Sequence, residues 1–215
     1  ILFYDPAYYL QHPLDIFKIN EGGLSIHGGI LGAFLAGLGY CKKARLPFWP
    51  TADLIAPMAV LGQGIARVGC DVYGKAMTQT WLWGVTANGM LVHPVQIYET
   101  LLDLALFIYL WGKRHRQKYT GQIFINYLAG YSMIRLFLEF FRTNPTVIGG
   151  LTPAHITSLL FIVMALIVGR WLGKSNPVEP TPDLSSSGWV TPGTWAATLM
   201  LAGVSIIIYY ALALR

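Results

Sequence analysis

Six long apolar segments set the strongest limit on how this chain of 215 residues can fold. Each is close to the roughly 20 residues that a helix needs to cross the hydrocarbon core of a bilayer. Charged residues make up only 12% of the chain, whereas a soluble domain contains about 25%. The sequence therefore predicts an all-α, polytopic transmembrane helical bundle. Its spans cover about residues 23–40, 51–69, 95–111, 121–141, 154–172 and 195–214.

Short basic clusters give the predicted spans an orientation. CKKAR (41–45) follows the first span and GKRHRQK (112–118) follows the third. Cytoplasmic loops are enriched in Lys and Arg, so we place both clusters in the cytoplasm. They are too short, and too closely flanked by membrane-length segments, to indicate nucleic-acid binding. With this orientation several polar residues fall together on the outer side, namely His27, Arg67, the loop 70–93, His93 and Arg142.

The first span combines a histidine with two rows of small residues. Gly28, Gly32 and Ala36 are spaced by four, and Gly29 begins a second such row. Small residues at this spacing let helix backbones approach closely in a membrane. His27 can be a packing residue, or it can serve as a hydrogen-bonding group or general base near neutral pH. The residues alone leave both interpretations open.

The fourth span carries a polar stripe. Tyr131, Arg135 and Glu139 are spaced by four and therefore share one helix face, with Arg142 one turn beyond. The stripe can be an interhelical ion pair. It can also hold a cation in a low-dielectric cavity, where the planar fork of arginine suits a phosphate. We favour anion binding for Arg135, while Arg142 fits both interpretations.

Two further segments add polar groups to the same side. The third span contains Gln96 and Glu99, which can bind substrate or bond neighbouring helices. Asp103, further along, is expected to be structural. The second span ends in Arg67, and Gly74 follows in a loop whose backbone N–H groups could contact an anion. Snorkelling of Arg67 to the headgroups is the alternative.

Four sequence motifs, taken in order, resemble the prolipoprotein diacylglyceryl transferase family. They are GGLSIHGGILGAFLA, ARVGC, HPVQIYE and the run from Tyr131 through Arg135 and Glu139 to Arg142. The opening segment LFYDPAYYLQHPLDIF is also similar to the one that precedes the His-Gly-Gly motif in that family. The resemblance covers about residues 1–173.

The resemblance implies a reaction. The family transfers the sn-1,2-diacylglyceryl group of phosphatidylglycerol to the lipobox cysteine thiol of preprolipoproteins, forming a thioether and releasing glycerol 1-phosphate, without metal or soluble cofactor. It acts in the bacterial inner membrane, and the orientation above puts the site at the outer face. Catalytic roles would then fall to His27, Arg67, Arg135 and Tyr131. Substrate contacts would fall to Arg67, Gly28, Gly29, Gly74, Gln96, Glu99, Glu139 and Arg142.

The chain departs from the family pattern at recognisable places. After Arg67 the family has Asn, Asn and Glu where this chain has Cys70, Tyr73 and Lys75. The family's first span would precede residue 1, so the chain is expected to be a piece of a longer protein. We predict a transferase-like core at 1–173, a Pro/Ser-rich linker at 174–194 and an additional transmembrane helix at 195–215. A transporter or channel lined by Arg67, Arg135 and Glu139 is the alternative function.

Overall fold

The structure, a computed structural model, describes residues 26–70, 72–87, 89–144, 150–177 and 190–213, and for residues 26–31 it describes the backbone only. The described part is mostly helical. Its helices are α1 (Ile26–Ala44), α2 (Phe48–Arg67), α3 (Val95–Lys113), α4 (Gln122–Leu138), α5 (Pro153–Ser175) and α6 (Pro192–Ala213). A 3₁₀ turn, Glu139–Phe141, follows α4, and a hairpin of β1 (Val85–Ala87) and β2 (Met90–Val92) precedes α3.

Each of the six predicted spans overlaps a helix, which confirms the fold class; residues 23–25 of the first span and residue 214 of the last lie outside the described part. Within the described residues, four helical segments are long and apolar enough to cross a membrane: α3, α5, α6 and the continuous stretch Gln122–Phe141. The chain is therefore a multi-pass membrane protein. Helices α1 and α2 are of similar length, and their membrane crossing stays a prediction. Of the predicted linker 174–194, residues 178–189 lie outside the described part.

The chain divides into two compact units, Ile1–Phe48 and Trp49–Arg215. In the first unit, α1 is followed by a turn in which the Leu46 N–H donates to the Cys41 carbonyl at 2.9 Å. The second unit contains most of α2, the hairpin and helices α3 to α6, so the C-terminal helix α6 belongs to the same compact body as the polar stripe. The predicted boundary at residue 173 stays a hypothesis.

Helix α3 is the most buried of the four membrane-length segments. Its residues Phe107 and Leu110 form an apolar core with Val60 of α2 and Ile123 of α4. Close approach of α3 and α4 depends on Gly130, where an added Cβ would lie 2.6 Å from Leu106. Because α3 contacts its neighbours on several faces, its polar residues point into the bundle.

Asp53 of α2 fixes the start of α4. Its carboxylate, 7% exposed, accepts hydrogen bonds from the backbone N–H groups of Gly121 at 2.6 Å and Phe124 at 2.9 Å. The first turn of a helix has unpaired N–H donors that a carboxylate can satisfy. Gly121 has a positive φ of 94°, a conformation that glycine adopts without strain. Asp53 therefore sets where the stripe-bearing helix begins.

The predicted loop 70–93 contains more regular structure than expected. Strands β1 and β2 pair antiparallel, with Val85 opposite Val92, and Gly89 at the turn has a positive φ of 77°. Trp81 and Trp83 stack with ring centroids 4.8 Å apart. The hairpin and its preceding loop fold over one end of the bundle, next to the start of α3.

Candidate active site

Arg67 and Glu99 form the first ion pair of the site. Arg67 ends α2, and its Nε lies 3.0 Å from Glu99 Oε1. The two helices come close because an added Cβ at Gly64 would lie only 3.1 Å from Asp103 Cβ. The Thr100 hydroxyl also donates to the Gly64 carbonyl at 2.9 Å. The small residue at position 64 thus lets Arg67 reach a glutamate that is completely buried.

Helix α4 brings a second arginine to the same carboxylate. Arg135 Nη1 lies 3.6 Å from Glu99 Oε2, and the Tyr131 hydroxyl donates to Glu99 Oε1 at 3.4 Å. Tyr131 and Arg135 are one turn apart, as the four-residue spacing predicted. Both arginine side chains of this cluster remain 18% exposed. Glu99 thus contacts both arginines on their buried side, and each arginine keeps part of its side chain accessible.

Glu139 is the second buried carboxylate and lies in the 3₁₀ turn. Its Oε2 is 3.8 Å from Arg135 Nη2 and 3.8 Å from Arg142 Nε. Its Oε1 accepts hydrogen bonds from Asn144 at 2.6 Å and from the Thr152 hydroxyl at 2.7 Å. Glu139 therefore links the end of α4 to the start of α5, and it orients two of the three arginines.

The sequence interpretation missed the group that supports Glu139. Thr152 is the N-cap of α5, with Pro153 at the first position and His155 completing a reciprocal capping box. His155 Nδ1 lies 2.9 Å from the Thr152 hydroxyl oxygen. A threonine followed by proline is a recognisable helix start, so the cap could have been predicted. Its contact with Glu139 could not.

The arginines of this cluster outnumber the carboxylates that form ion pairs with them. Three guanidinium groups, of Arg67, Arg135 and Arg142, pair with two carboxylates. Burial, and then the positive charge of Arg135, lower the pKa of the Arg142 guanidinium from its ordinary value, but arginine stays charged at neutral pH.

Neither carboxylate oxygen of Asp103 has a hydrogen-bond partner within the part of the chain that the structure describes.

The structure gives Gly74 a packing role that differs from the predicted contact with an anion. Its N–H already donates to the His93 carbonyl at 3.0 Å, so this group is not free for a ligand. A Cβ here would lie 2.5 Å from Val95 and 2.7 Å from the Phe141 carbonyl. The next residue, Lys75, donates its N–H to Phe141 at 2.7 Å. Gly74 thus lets the loop pack against the segment that carries Arg142.

Gln96 also has its amide engaged within the protein. Its Nε2 donates to the Cys70 carbonyl at 3.0 Å, and its Oε1 accepts from the Tyr209 hydroxyl at 3.2 Å. The side chain is 2% exposed. The structure therefore favours bonding between elements over the predicted substrate contact.

Three of the predicted site residues cannot be compared with this cluster. His27, Gly28 and Gly29 lie in the first turn of α1, where side chains are outside the described part. Their approach to the arginines stays a prediction. Among the described residues, no group of three or more His, Cys, Asp or Glu side chains is arranged to hold a metal ion.

Comparison with known proteins shows the family to which the chain belongs. A family model described as prolipoprotein diacylglyceryl transferase matches residues 1–171. The phosphatidylglycerol–prolipoprotein diacylglyceryl transferase of Clostridioides difficile is 36% identical over 172 residues, which cover 79% of this chain and 69% of the relative. The chain belongs to the prolipoprotein diacylglyceryl transferase family. A second such transferase, from Bacillus cytotoxicus, is 36% identical over 186 residues with the same coverage.

Membership of the diacylglyceryl transferase family confirms the resemblance and leaves the transporter alternative without support. The family match includes Arg67, Glu99, Arg135, Glu139 and Arg142, because it runs from residue 1 to residue 171. It ends within α5. Helix α6, which packs on α3, lies outside it.

Proposed function

We propose that this chain transfers the diacylglyceryl group of phosphatidylglycerol to the lipobox cysteine of a prolipoprotein, using the arginine cluster to bind the phosphate. The transferase activity itself follows from the family and from relatives named for it. The observation that carries the proposed site is the triplet of arginines held by Glu99 and Glu139. A buried cluster of this kind, at one end of apolar helices, suits a lipid whose head is an anion and whose body is hydrocarbon.

The reaction requires that a carbon–oxygen bond break and a carbon–sulfur bond form. The cysteine thiolate attacks the glyceryl carbon that bears the phosphate ester, and the electron pair of the broken bond stays on the phosphate oxygen. The product is a thioether, and glycerol 1-phosphate leaves. Negative charge grows on the leaving phosphate, so fixed cations beside it lower the barrier. Arg67 and Arg135 are proposed to supply that charge.

The carboxylates keep the arginines in place between turnovers. Glu99 contacts Arg67 and Arg135 at 3.0 and 3.6 Å, so the two guanidiniums converge on one point. Such preorganisation removes the need for side chains to reorient during the reaction. Tyr131, which donates to Glu99, is proposed to bond the lipid head when substrate is bound.

His27 is proposed as the base that takes the thiol proton, because a thiolate and not a thiol is the nucleophile. Positioning of the lipid, together with Gly28 and Gly29, is the alternative role. The support is the sequence motif alone. A His27→Gln variant distinguishes the two roles: a base predicts loss of kcat with restored activity at raised pH, and a positioning residue predicts a raised KM for phosphatidylglycerol.

We further propose that the site opens to the outer face of the bacterial plasma membrane. Arg67 ends α2, Glu99 lies in the second turn of α3 and Glu139 follows α4. These positions share one end of the bundle. The basic cluster 112–118 comes at the opposite end of α3, and basic loops are cytoplasmic.

The direct test is an assay on membranes that contain the protein. Phosphatidylglycerol and a synthetic peptide with a lipobox cysteine are supplied, and the product is analysed by mass spectrometry. We expect a diacylglyceryl thioether on the cysteine and release of glycerol 1-phosphate. A matched peptide with serine in place of cysteine controls for acceptor identity. Absence of thioether from the cysteine peptide would contradict the proposed function.

A further inference from the structure

Helix α6 lies outside the family match, yet two consecutive tyrosines attach it to the neighbourhood of the site. The Tyr209 hydroxyl donates to Gln96 Oε1 at 3.2 Å, and the exposed fractions of these side chains are 4% and 2%. The Tyr210 hydroxyl donates to the carbonyl of Trp83 at 2.6 Å, in the loop before β1. A buried tyrosine hydroxyl such as that of Tyr209 requires a partner, and the hydroxyls of the two tyrosines bond to two different elements.

A series of hydrogen bonds connects Tyr209 to Arg67. Gln96 uses its other amide atom, Nε2, to hold the Cys70 carbonyl at 3.0 Å. The Cys70 N–H in turn donates to the Arg67 carbonyl at 3.2 Å. The Gln96 amide thus connects α3 to the turn that follows α2, and the oxygen of the same amide accepts a hydrogen bond from Tyr209.

We propose that Tyr209 is a positioning residue of the transferase. It holds the Gln96 amide so that Nε2 faces Cys70, and it thereby keeps the end of α2 where Arg67 reaches Glu99. Loss of the hydroxyl leaves Gln96 Oε1 buried without this donor, and the amide is then free to turn. The inference rests on the proposed function in one respect, because Arg67 is taken to bind the phosphate of phosphatidylglycerol. Helix α6 would thus help to position a residue of the active site, in addition to holding the chain in the membrane.

The kinetic test uses Tyr209→Phe in the full chain, with Tyr210→Phe as the matched control. Loss of one hydrogen bond predicts a fall of about fivefold in kcat/KM for phosphatidylglycerol, with the KM for the acceptor peptide unchanged. The double variant Tyr209→Phe, Gln96→Ala should be no worse than Gln96→Ala alone, because both act through one contact. We expect Tyr210→Phe to stay within about twofold of the unchanged protein. Additive losses, or an unchanged Tyr209→Phe enzyme, would overturn the inference.

A second readout does not depend on activity. The chain has two cysteines, and Cys70 is partly exposed whereas Cys41 is buried. In a Cys41→Ser background, we expect Tyr209→Phe to raise the rate at which a maleimide labels Cys70 by about fivefold. Tyr210→Phe should leave this rate unchanged. An equal labelling rate in all three proteins shows that Tyr209 does not hold the turn, even if the unchanged protein transfers lipid. An inactive unchanged protein contradicts the proposed function, and the labelling rates still decide the role of Tyr209.

Discussion

Replacing Arg135 by lysine tests whether the site depends on a forked cation. Two nitrogens of Arg135 form ion pairs with two different carboxylates, Nη1 at 3.6 Å from Glu99 and Nη2 at 3.8 Å from Glu139. A lysine keeps the charge, but its single ammonium group cannot satisfy both glutamates and also donate two parallel bonds to a phosphate. At least one charge-assisted hydrogen bond is therefore lost in the transition state.

The magnitude follows from that single bond. A hydrogen bond to a charged group contributes about 1.5–3 kcal/mol, and each 1.4 kcal/mol or so changes a rate tenfold. We expect kcat/KM for phosphatidylglycerol to fall about 10- to 100-fold. The free energy of unfolding should fall by less than the roughly 3–5 kcal/mol of a broken buried ion pair, because lysine keeps a positive charge beside Glu99 and Glu139.

The assay compares the rate of thioether formation at several phosphatidylglycerol concentrations, together with the thermal unfolding midpoint in detergent. Arg170→Lys is the matched control, since Arg170 is an exposed residue of α5 away from the cluster, and its rate should remain within about twofold. If Arg135→Lys retained the unchanged kcat/KM, the forked geometry of the guanidinium would have no part in the reaction.

Three further variants test the supports of the site. Glu99→Gln removes the buried carboxylate charge that the guanidiniums of Arg67 and Arg135 contact. It should lower the free energy of unfolding by about 3 kcal/mol, the lower end for a broken buried pair, because both arginines are 18% exposed. An unchanged unfolding midpoint would show that the fold does not need this pair. Gly74→Ala places a Cβ 2.5 Å from Val95 and should cost about 1–3 kcal/mol, whereas an equally stable and active protein would mean that the loop adjusts freely. Asp53→Ala removes the acceptor of two N–H groups at the start of α4, one buried and one partly buried, and should cost roughly 2–4 kcal/mol, measured as a lower unfolding midpoint; no loss would show that water replaces the carboxylate.

The helices were predictable because their hydrophobic lengths are unambiguous. The predicted spans and the observed helices differ mainly at their ends, as with α1, which extends to Ala44 through the basic residues that mark the end of the apolar run. The hairpin was missed although Asn88-Gly89 is a strong turn dipeptide. Its strands have only three residues each, too few for alternation to stand out.

The site was predictable in part. Four-residue spacing placed Tyr131, Arg135 and Glu139 on one face of the fourth predicted span, and their contacts with each other and with Glu99 agree with this. That Glu99 lies under two arginines depends on the close approach at Gly64, a property of packing between helices that are far apart in sequence. The partners of Gln96 were equally hidden, because one of them lies 113 residues away in α6.

We propose that Arg67 and Arg135 together bind the phosphate of phosphatidylglycerol. The decisive measurement is a structure of the protein with phosphatidylglycerol bound. We expect phosphate oxygens about 2.7–2.9 Å from guanidinium nitrogens of both residues, with Glu99 still in contact with each. A phosphate bound elsewhere, for example against the basic cluster 112–118 with both arginines paired only to glutamate, would contradict it.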